Sequence, residues 1–315
     1  MKETLNVALA QIAPVWLDQQ KTREKISSYI SDAADQGADL VAFGEGLLPG
    51  YPFWVELTDG AKFNNELQKE AYAHYVKHAV NIEKGDLDEL KKVCKDKNIA
   101  AYVGTIEKAD NRGAHSCYAT MVYISNSGTI ESVHRKLRPT YEERLVWSPG
   151  DGHGLRVHQM ESFTVGGLNC WENWMPLART ALYAQGEDLH VAIWPGSKRN
   201  THDITPFMAK EGRSYVMSVA GLFGKSDIPD HLPFSDVMKS NASEVMADGG
   251  SCLAAPDGSW VIEPFEGEKL KIAEINHKNV LKERQNFDPV GHYSRPDVTR
   301  LEVNRERQST VHFKD

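Results

Sequence analysis

The feature that most restricts the fold of this chain is its alternation of short apolar strands with helix-length amphipathic segments. The alternation appears first as a β-α-β opening and again past the midpoint. Leu5, Val7 and Leu9 alternate with smaller residues and predict a strand that ends near Ile12. Asp18 is placed to cap a helix whose Ile26, Ile30 and Ala33 share one face, and Gly37 stops it. A second strand follows at Asp39–Phe43. Helices are expected over Glu66–Val80 and Asp86–Lys97, then strands over Ile99–Ile106, Tyr118–Ser125 and Thr129–His134, the last two joined through Asn126-Ser127-Gly128 as in a hairpin.

The pattern then repeats with strand Phe163–Asn169, helix Leu177–Ala184, strand Leu189–Trp194, helix Phe207–Arg213 and strand Tyr215–Ala220. A hairpin around Ala255–Ser259 and a strand over Leu270–Ile275 complete it. Crossover and hairpin connections together predict mixed sheets with helices outside them, an α/β fold. With no Ser/Gly-rich linker and no low-complexity run, residues 1–290 read as one domain. From Gly291 the polar stretch GHYSRPDVTRLEVN reads as an extended tail over 291–315.

Composition narrows the function. The chain has 315 residues, 41% hydrophobic and 25% charged, the balance of a globular protein with a large core. A formal net charge of −8 argues against a nucleic-acid partner, which needs a basic patch. No apolar run approaches the roughly 18 residues of a membrane span, so no membrane partner is expected. The opening MKETLNVALAQIAPVWLD offers Ala-Leu-Ala as a cleavage-like site. However, Glu3 interrupts a basic leader and Asn6, Gln11 and Pro14 interrupt the apolar run, so a first strand explains these residues better than a signal peptide. Cys94, Cys117, Cys170 and Cys252 are widely spaced with no C-x-x-C pair, which suits free thiols in a reducing cytoplasm.

The stretch FGEGLLPGYPFW, Phe43 to Trp54, follows a buried strand and raises the question of a nucleotide loop. Gly44 and Gly46 fit the dinucleotide fingerprint, but its third glycine is replaced by Pro49, and Glu45 would repel a pyrophosphate. No cofactor is expected on this ground. An acidic side chain at the C-terminal end of a strand remains, where open α/β sheets place their chemistry. Two other strands end in the same way: His134-Arg135-Lys136 runs into a loop, and Cys170 in GGLNCWENWMPL precedes a predicted helix start. Each alone has an ordinary reading as a small core thiol, a solvated lysine or a surface glutamate. Together they would bring an acid, a cation and a thiol to one rim, with backbone N–H groups beside the sulfur. The histidines include no H-E-x-x-H and no close ligand triplet, so no metal is expected. No G-x-S-x-G serine elbow is present.

With these motifs in order the chain resembles the nitrilase, or carbon–nitrogen hydrolase, superfamily over nearly its whole length. Glu45 in FGEGLLPGYP, Lys136 in HRKLRPTYEERLVWSPGDG and Cys170 in LNCWENWMPLAR match the family's Glu-Lys-Cys triad. Glu143, seven residues after the lysine, matches its second glutamate. HVAIWPG and GHYSRPD resemble the true nitrilase branch more than the aliphatic amidases; FGE replaces the FPE of many members. The resemblance implies a four-layer α-β-β-α sandwich. It also implies a homodimer or larger homo-oligomer that stacks helix layers, with the tail packed on the partner subunit.

The resemblance further implies a small-molecule nitrile substrate attacked by the Cys170 sulfur. A nitrile carbon is a poor electrophile, so the sulfur is expected to be ionised or nearly so, favoured by Lys136. Glu45 is the expected general base, and Lys136 with the backbone N–H of Trp171 would meet developing negative charge. Tyr51, Trp54, Trp147, Trp174 and Trp194 surround these motifs in sequence and predict a mostly apolar pocket. An amidase or cyanide-hydrolysing enzyme would share the triad. A non-catalytic scaffold would have no reason to bury a Glu, a Lys and a Cys.

Overall fold

In the computed structural model, which describes residues 1–311 and 314, the strands of the first half are β1 (Thr4–Gln11), β2 (Leu40–Phe43), β3 (Ala100–Lys108), β4 (Cys117–Ile124), β5 (Ile130–Arg135), β6 (His158–Met160) and β7 (Phe163–Asn169). The second half adds β8 (Leu189–Trp194), β9 (Tyr215–Ala220), β10 (Leu222–Gly224), β11 (Val245–Ala254), β12 (Trp260–Glu266) and β13 (Lys269–Asn276). They form two sheets, ordered β13-β1-β2-β3-β4-β5 and β10-β11-β9-β8-β7-β6, with β12 paired to β11.

The alternation of side chains along each strand sorts the molecule into four layers. Leu5, Val7 and Leu9 of β1, Leu40 and Ala42 of β2, and Tyr102 of β3 pack in one core with Leu189, Val191 and Ile193 of β8 and Met217 of β9. That core lies between the sheets. The alternate residues Ala8, Ala10, Val41 and Val103 pack instead with Ile26, Ile30, Leu90 and Cys94 of the helices Gln19–Asp35 and Asp88–Lys97. On the other side, Ala192, Trp194 and Val216 meet Ile204, Met208 and Ala209 of the helix Ile204–Gly212. The arrangement is an α-β-β-α sandwich.

The first helix starts where expected. Asp18 accepts a hydrogen bond from the Lys21 N–H, and the chain leaves through Gly37 at φ 85°. Besides the one-turn helices Trp54–Leu57 and Lys198–Thr201, the sequence reading has no counterpart for the helices Ser235–Asn241 and His277–Arg284 or for strands β6 and β10. Strands of three residues are too short to show a period. The two longer helices are about two turns long and bury few side chains, Ser235 and Met238 in one and Val280 in the other. Among the described residues no helix is long and apolar enough to cross a membrane.

Strand direction places the site. β1, β2 and β3 are mutually parallel, β4 runs against β3 and β5 against β4, so β2 and β5 point the same way. In the other sheet β7, β8 and β9 are parallel. The Glu45 N–H donates to the Trp194 carbonyl at 3.0 Å, so the C-terminal end of β2 meets that of β8. The two sheets therefore share a rim.

Candidate active site

Glu45, Lys136 and Cys170 each lie one or two residues past the end of a strand on that rim. Lys136 Nζ is 2.9 Å from Glu45 Oε1 and 2.7 Å from Glu143 Oε2. The carboxylates of Glu45 and Glu143 and the Cys170 sulfur lie within 4.8 Å of one another. All four side chains are buried. The grouping could be mistaken for a metal site, but the Lys136 ammonium contacts both carboxylates and takes the place of a cation.

The two glutamates differ in what they touch. Glu143 is fully engaged: it receives Lys136 Nζ, the Tyr51 hydroxyl at 2.8 Å and the Thr140 N–H at 2.6 Å, the last as part of a capping box. Glu45 has its ion pair with Lys136, but neither oxygen accepts a hydrogen bond of good geometry among the described residues. Glu45 is the carboxylate free to take a proton. Burial pushes its pKa up to about 8, with Lys136 opposing the rise and Glu143 adding to it.

The thiol corrects one expectation. Burial, and next to it the Glu45 charge, raises the Cys170 pKa well above the ordinary thiol range; Lys136 and the Trp171 N–H offset this only in part. A thiolate would place negative charge in a dry site beside Glu45 and Glu143, and both burial and those carboxylates oppose it. These surroundings favour a neutral thiol beside the Glu45 carboxylate over a preformed thiolate. Burial works against the Lys136 ammonium, but the sulfur when ionised, Glu45 and Glu143 together hold its pKa well above the ordinary lysine range.

Cys170 sits on a sharp elbow. It opens a 3-10 turn, Cys170–Trp174, at φ 48°, a left-handed conformation that costs a non-glycine residue on the order of 1 kcal/mol or more. Asn173 holds the elbow by donating from Nδ2 to the Cys170 carbonyl at 2.7 Å. Its own Oδ1 pairs with His190 Nε2 at 2.8 Å, and His190 Nδ1 with Glu187 at 3.0 Å. Glu172 was not singled out in the sequence, yet it joins the two sheets. It accepts from the Asn169 N–H of the elbow, from the Leu137 N–H next to Lys136, and pairs with His134. The Asn169-x-x-Glu172 spacing of a capping box was the signal available.

A cavity of about 680 Å³ opens onto Cys170. Of the expected pocket aromatics Tyr51 lines it, and Trp171, expected for its backbone N–H, lines it too. Trp54 and Trp194 do not; Trp54 packs on Tyr75, and the Trp194 indole donates to the Ser218 hydroxyl within the helix-side core. Trp174 is half-exposed and stacks on Trp171 outside the cavity wall. Trp147 lies under Lys136, its ring 5.5 Å from Nζ. Nor is the cavity mostly apolar: Glu56, Thr140, Glu142, Ser197, Arg199, Asn200 and Ser243 join Phe53, Val245 and Met246 on its walls. The large aromatics near the motifs in sequence are mostly used to build the rim beneath the site.

The family model described as carbon–nitrogen hydrolase matches residues 6–284. The chain is 34% identical to a protein named Nitrilase 2 from an unknown prokaryotic organism, covering 99% of this chain and 96% of that one. It is 33% identical to Nitrilase 1 of Arabidopsis thaliana, covering 98% and 90%. A solved Saccharomyces cerevisiae member of branch 10 of the nitrilase superfamily superposes with a TM-score of 0.72 at 17% identity over 93% and 97% of the two chains, a likeness of fold alone.

Proposed function

The chain belongs to the carbon–nitrogen hydrolase family, and from that membership we propose that it is a nitrilase, converting an organic nitrile and two waters to a carboxylic acid and ammonia. The observation that carries the reading is the meeting of Glu45, Lys136 and Cys170 at one buried point on a cavity, in a chain whose full-length relatives are named nitrilases.

The chemistry follows from the charge arrangement. Glu45 takes the Cys170 proton as the sulfur attacks the nitrile carbon. Negative charge develops on the nitrile nitrogen and is met by the Lys136 ammonium and the Trp171 N–H. Lys136 gives a proton to that nitrogen and recovers one from Glu45, leaving a thioimidate. A water deprotonated by Glu45 then adds to the carbon, giving a tetrahedral intermediate with sulfur, hydroxyl and amine. The hydroxyl gives up its proton to Glu45 while Lys136 protonates the amine. That amine leaves as ammonia as the C–N bond breaks and the thioester forms, and Lys136 then recovers a proton from Glu45. A second water hydrolyses the thioester, and the proton returns to the sulfur. Glu143 keeps Lys136 in place throughout.

Acid is the expected main product and amide the minor one, because the amine must leave before the thiol. The test is mass spectrometry of products, with ammonia release, from aryl, arylaceto and aliphatic nitriles and their primary amides. Rapid amide hydrolysis with no nitrile turnover would move the chain to the amidases. No turnover of any compound, with Cys170 inert to alkylation, would favour a scaffold.

A homodimer or larger homo-oligomer belongs to the same reading. Trp174, Met175, Leu177 and Phe207 are exposed apolar side chains on or beside the two helices outside the second sheet, and a second copy would cover them. Tyr293, Val298, Leu301 and Val303 of the tail are exposed too, which supports packing of that stretch on the partner. Four unpaired buried cysteines support a reducing compartment, the cytoplasm.

A further inference from the structure

The end of the tail has a second use. Residues 304–310 dock on the chain's own body, against Val133 of β5 and the segment that begins at Gly150, whose N–H bonds the Lys136 carbonyl. Lys136 is held by its backbone: its N–H donates to the Ala119 carbonyl at 2.8 Å, and its carbonyl accepts from the Gly150 N–H at 2.7 Å. Gly150 opens a short segment, Gly150–Gly154, that lies flush on the end of β5. A Cβ at Gly150 would fall 2.2 Å from the Arg135 carbonyl oxygen, and one at Gly154 would fall 2.3 Å from the His134 Cα. The tail is equally flush on the outside of this segment, since a Cβ at Gly152 would fall 2.2 Å from the Asn304 carbonyl oxygen. Three pieces of backbone thus approach closely at these glycines: strand end, glycine segment and tail.

One side chain ties the three together. Arg307 donates from Nη1 to Asp151 Oδ1 at 3.0 Å and from Nη2 to the Val133 carbonyl of β5 at 2.7 Å. The Gln308 N–H donates to the other Asp151 oxygen at 3.0 Å, so that carboxylate, itself nearly buried, is gripped from both sides. His153 Nδ1 meets the Arg305 carbonyl at 3.1 Å, and Arg112 donates to the Gln308 carbonyl and the Thr310 hydroxyl from outside. Such density of polar contact is more than a loose terminus needs.

We propose that Arg307 is a positioning residue for Lys136: through Asp151 and the Val133 carbonyl, the tail clamps the glycine segment onto the strand end that carries the ammonium. Arg307 touches no reacting atom. Its effect is on the distance between Lys136 and the Glu45–Cys170 pair, where a displacement of an ångström is costly. The proposal rests on the reading of Lys136 as part of the reacting centre.

The experiment compares Arg307→Gln, Asp151→Asn and Arg307→Lys in the full-length chain. Two readouts are used: steady-state kinetics on a nitrile the parent turns over, and the pH profile of Cys170 alkylation by iodoacetamide, located by mass spectrometry. Arg307→Gln is expected to lower kcat by about ten- to a hundredfold with KM within about twofold. It should also slow alkylation and move its profile to higher pH, because a more distant ammonium favours the thiolate less. Asp151→Asn should do the same, and Arg307→Lys should recover part of the loss. Should Arg307→Gln not fold, Arg112→Gln, which frees the tail from its outer side, should shift both readouts in the same direction by less.

A folded Arg307→Gln variant with parental kcat and a parental alkylation profile overturns the proposal. A shifted alkylation profile in a protein that hydrolyses amides alone keeps the clamp and removes the nitrile reading, because alkylation needs no nitrile.

Discussion

Glu45 and Glu143 are chemically the same residue, about equally buried and both within ion-pairing distance of Lys136, yet their surroundings give them different work. Glu143 has three donors and is committed to holding Lys136 and Tyr51. Glu45 has only the ion pair with Lys136, and burial raises its pKa to about 8. A base must be deprotonated to act, so kcat/KM should rise with pH through an acid limb near pH 8, far above the usual carboxylate range. Glu143→Gln removes a like charge whose field raises the Glu45 pKa, so the limb should move to lower pH even as the rate falls. Rate profiles from pH 5 to 10 would check both; a limb at pH 4 to 5 in the parent would mean that burial does not govern Glu45. The nucleophile assignment has a simpler test. Cys170→Ala removes the attacking atom and little volume, so turnover should fall by more than about a thousandfold, roughly 4 kcal/mol of barrier, with the melting curve retained. Cys94, Cys117 and Cys252 lie in separate parts of the core and should tolerate replacement by Ala with activity kept.

At the scale of elements, the site is made by the crossing of strand ends, and close approach there is a demand on backbone. A Cβ at Gly104 of β3 would fall 2.0 Å from the Gly44 carbonyl oxygen and 2.8 Å from the Glu45 Cα. Both neighbours are backbone and cannot swing away. Gly104→Ala should therefore cost about 1–3 kcal/mol, read from the midpoint of denaturant unfolding, and should displace Glu45 enough to depress kcat; unchanged stability and rate would show that the β2 end can move. This dependence explains what sequence patterning could and could not reveal. The strands were legible because a strand buried on both faces still alternates between two cores, as Leu5, Val7 and Leu9 do against Ala8 and Ala10. Glu45, Lys136 and Cys170 were legible because each sits beyond a strand end within a motif that resembles the family's triad. Glu172 was legible only as a capping-box partner of Asn169; its contacts to His134 and Leu137 come from the other sheet, and no local pattern encodes the meeting of the two. Nor was the burial of Trp54 and Trp194 legible: an indole near a motif reads the same whether it faces the cavity or props the rim.

For the whole molecule, the tail has two portions with different surroundings, and truncation can separate them. Residues 291–303 carry the exposed Tyr293, Val298, Leu301 and Val303, side chains that a second copy would cover. Residues 304–310 carry the polar contacts to Asp151, His153 and Arg112. Apolar burial and polar clamping fail differently. Losing apolar surface weakens association by mass action, at about 25 cal/mol per Å² no longer buried, and changes the particle's mass. Losing the clamp loosens Lys136 and changes the rate without a change of mass. A chain ending at Val303 should therefore keep the parental mass by light scattering while its kcat falls by about ten- to a hundredfold. A chain ending at Val290 should lose rate to the same degree and also run as a smaller species or precipitate, because the helix-side patch at Leu177 and Phe207 would then carry assembly alone. If the shorter chain keeps both mass and rate, neither portion of the tail has the role given to it. If the Val303 chain already drops in mass, the polar end and the apolar stretch act as one interface, and the clamp is shared between copies rather than closed within one.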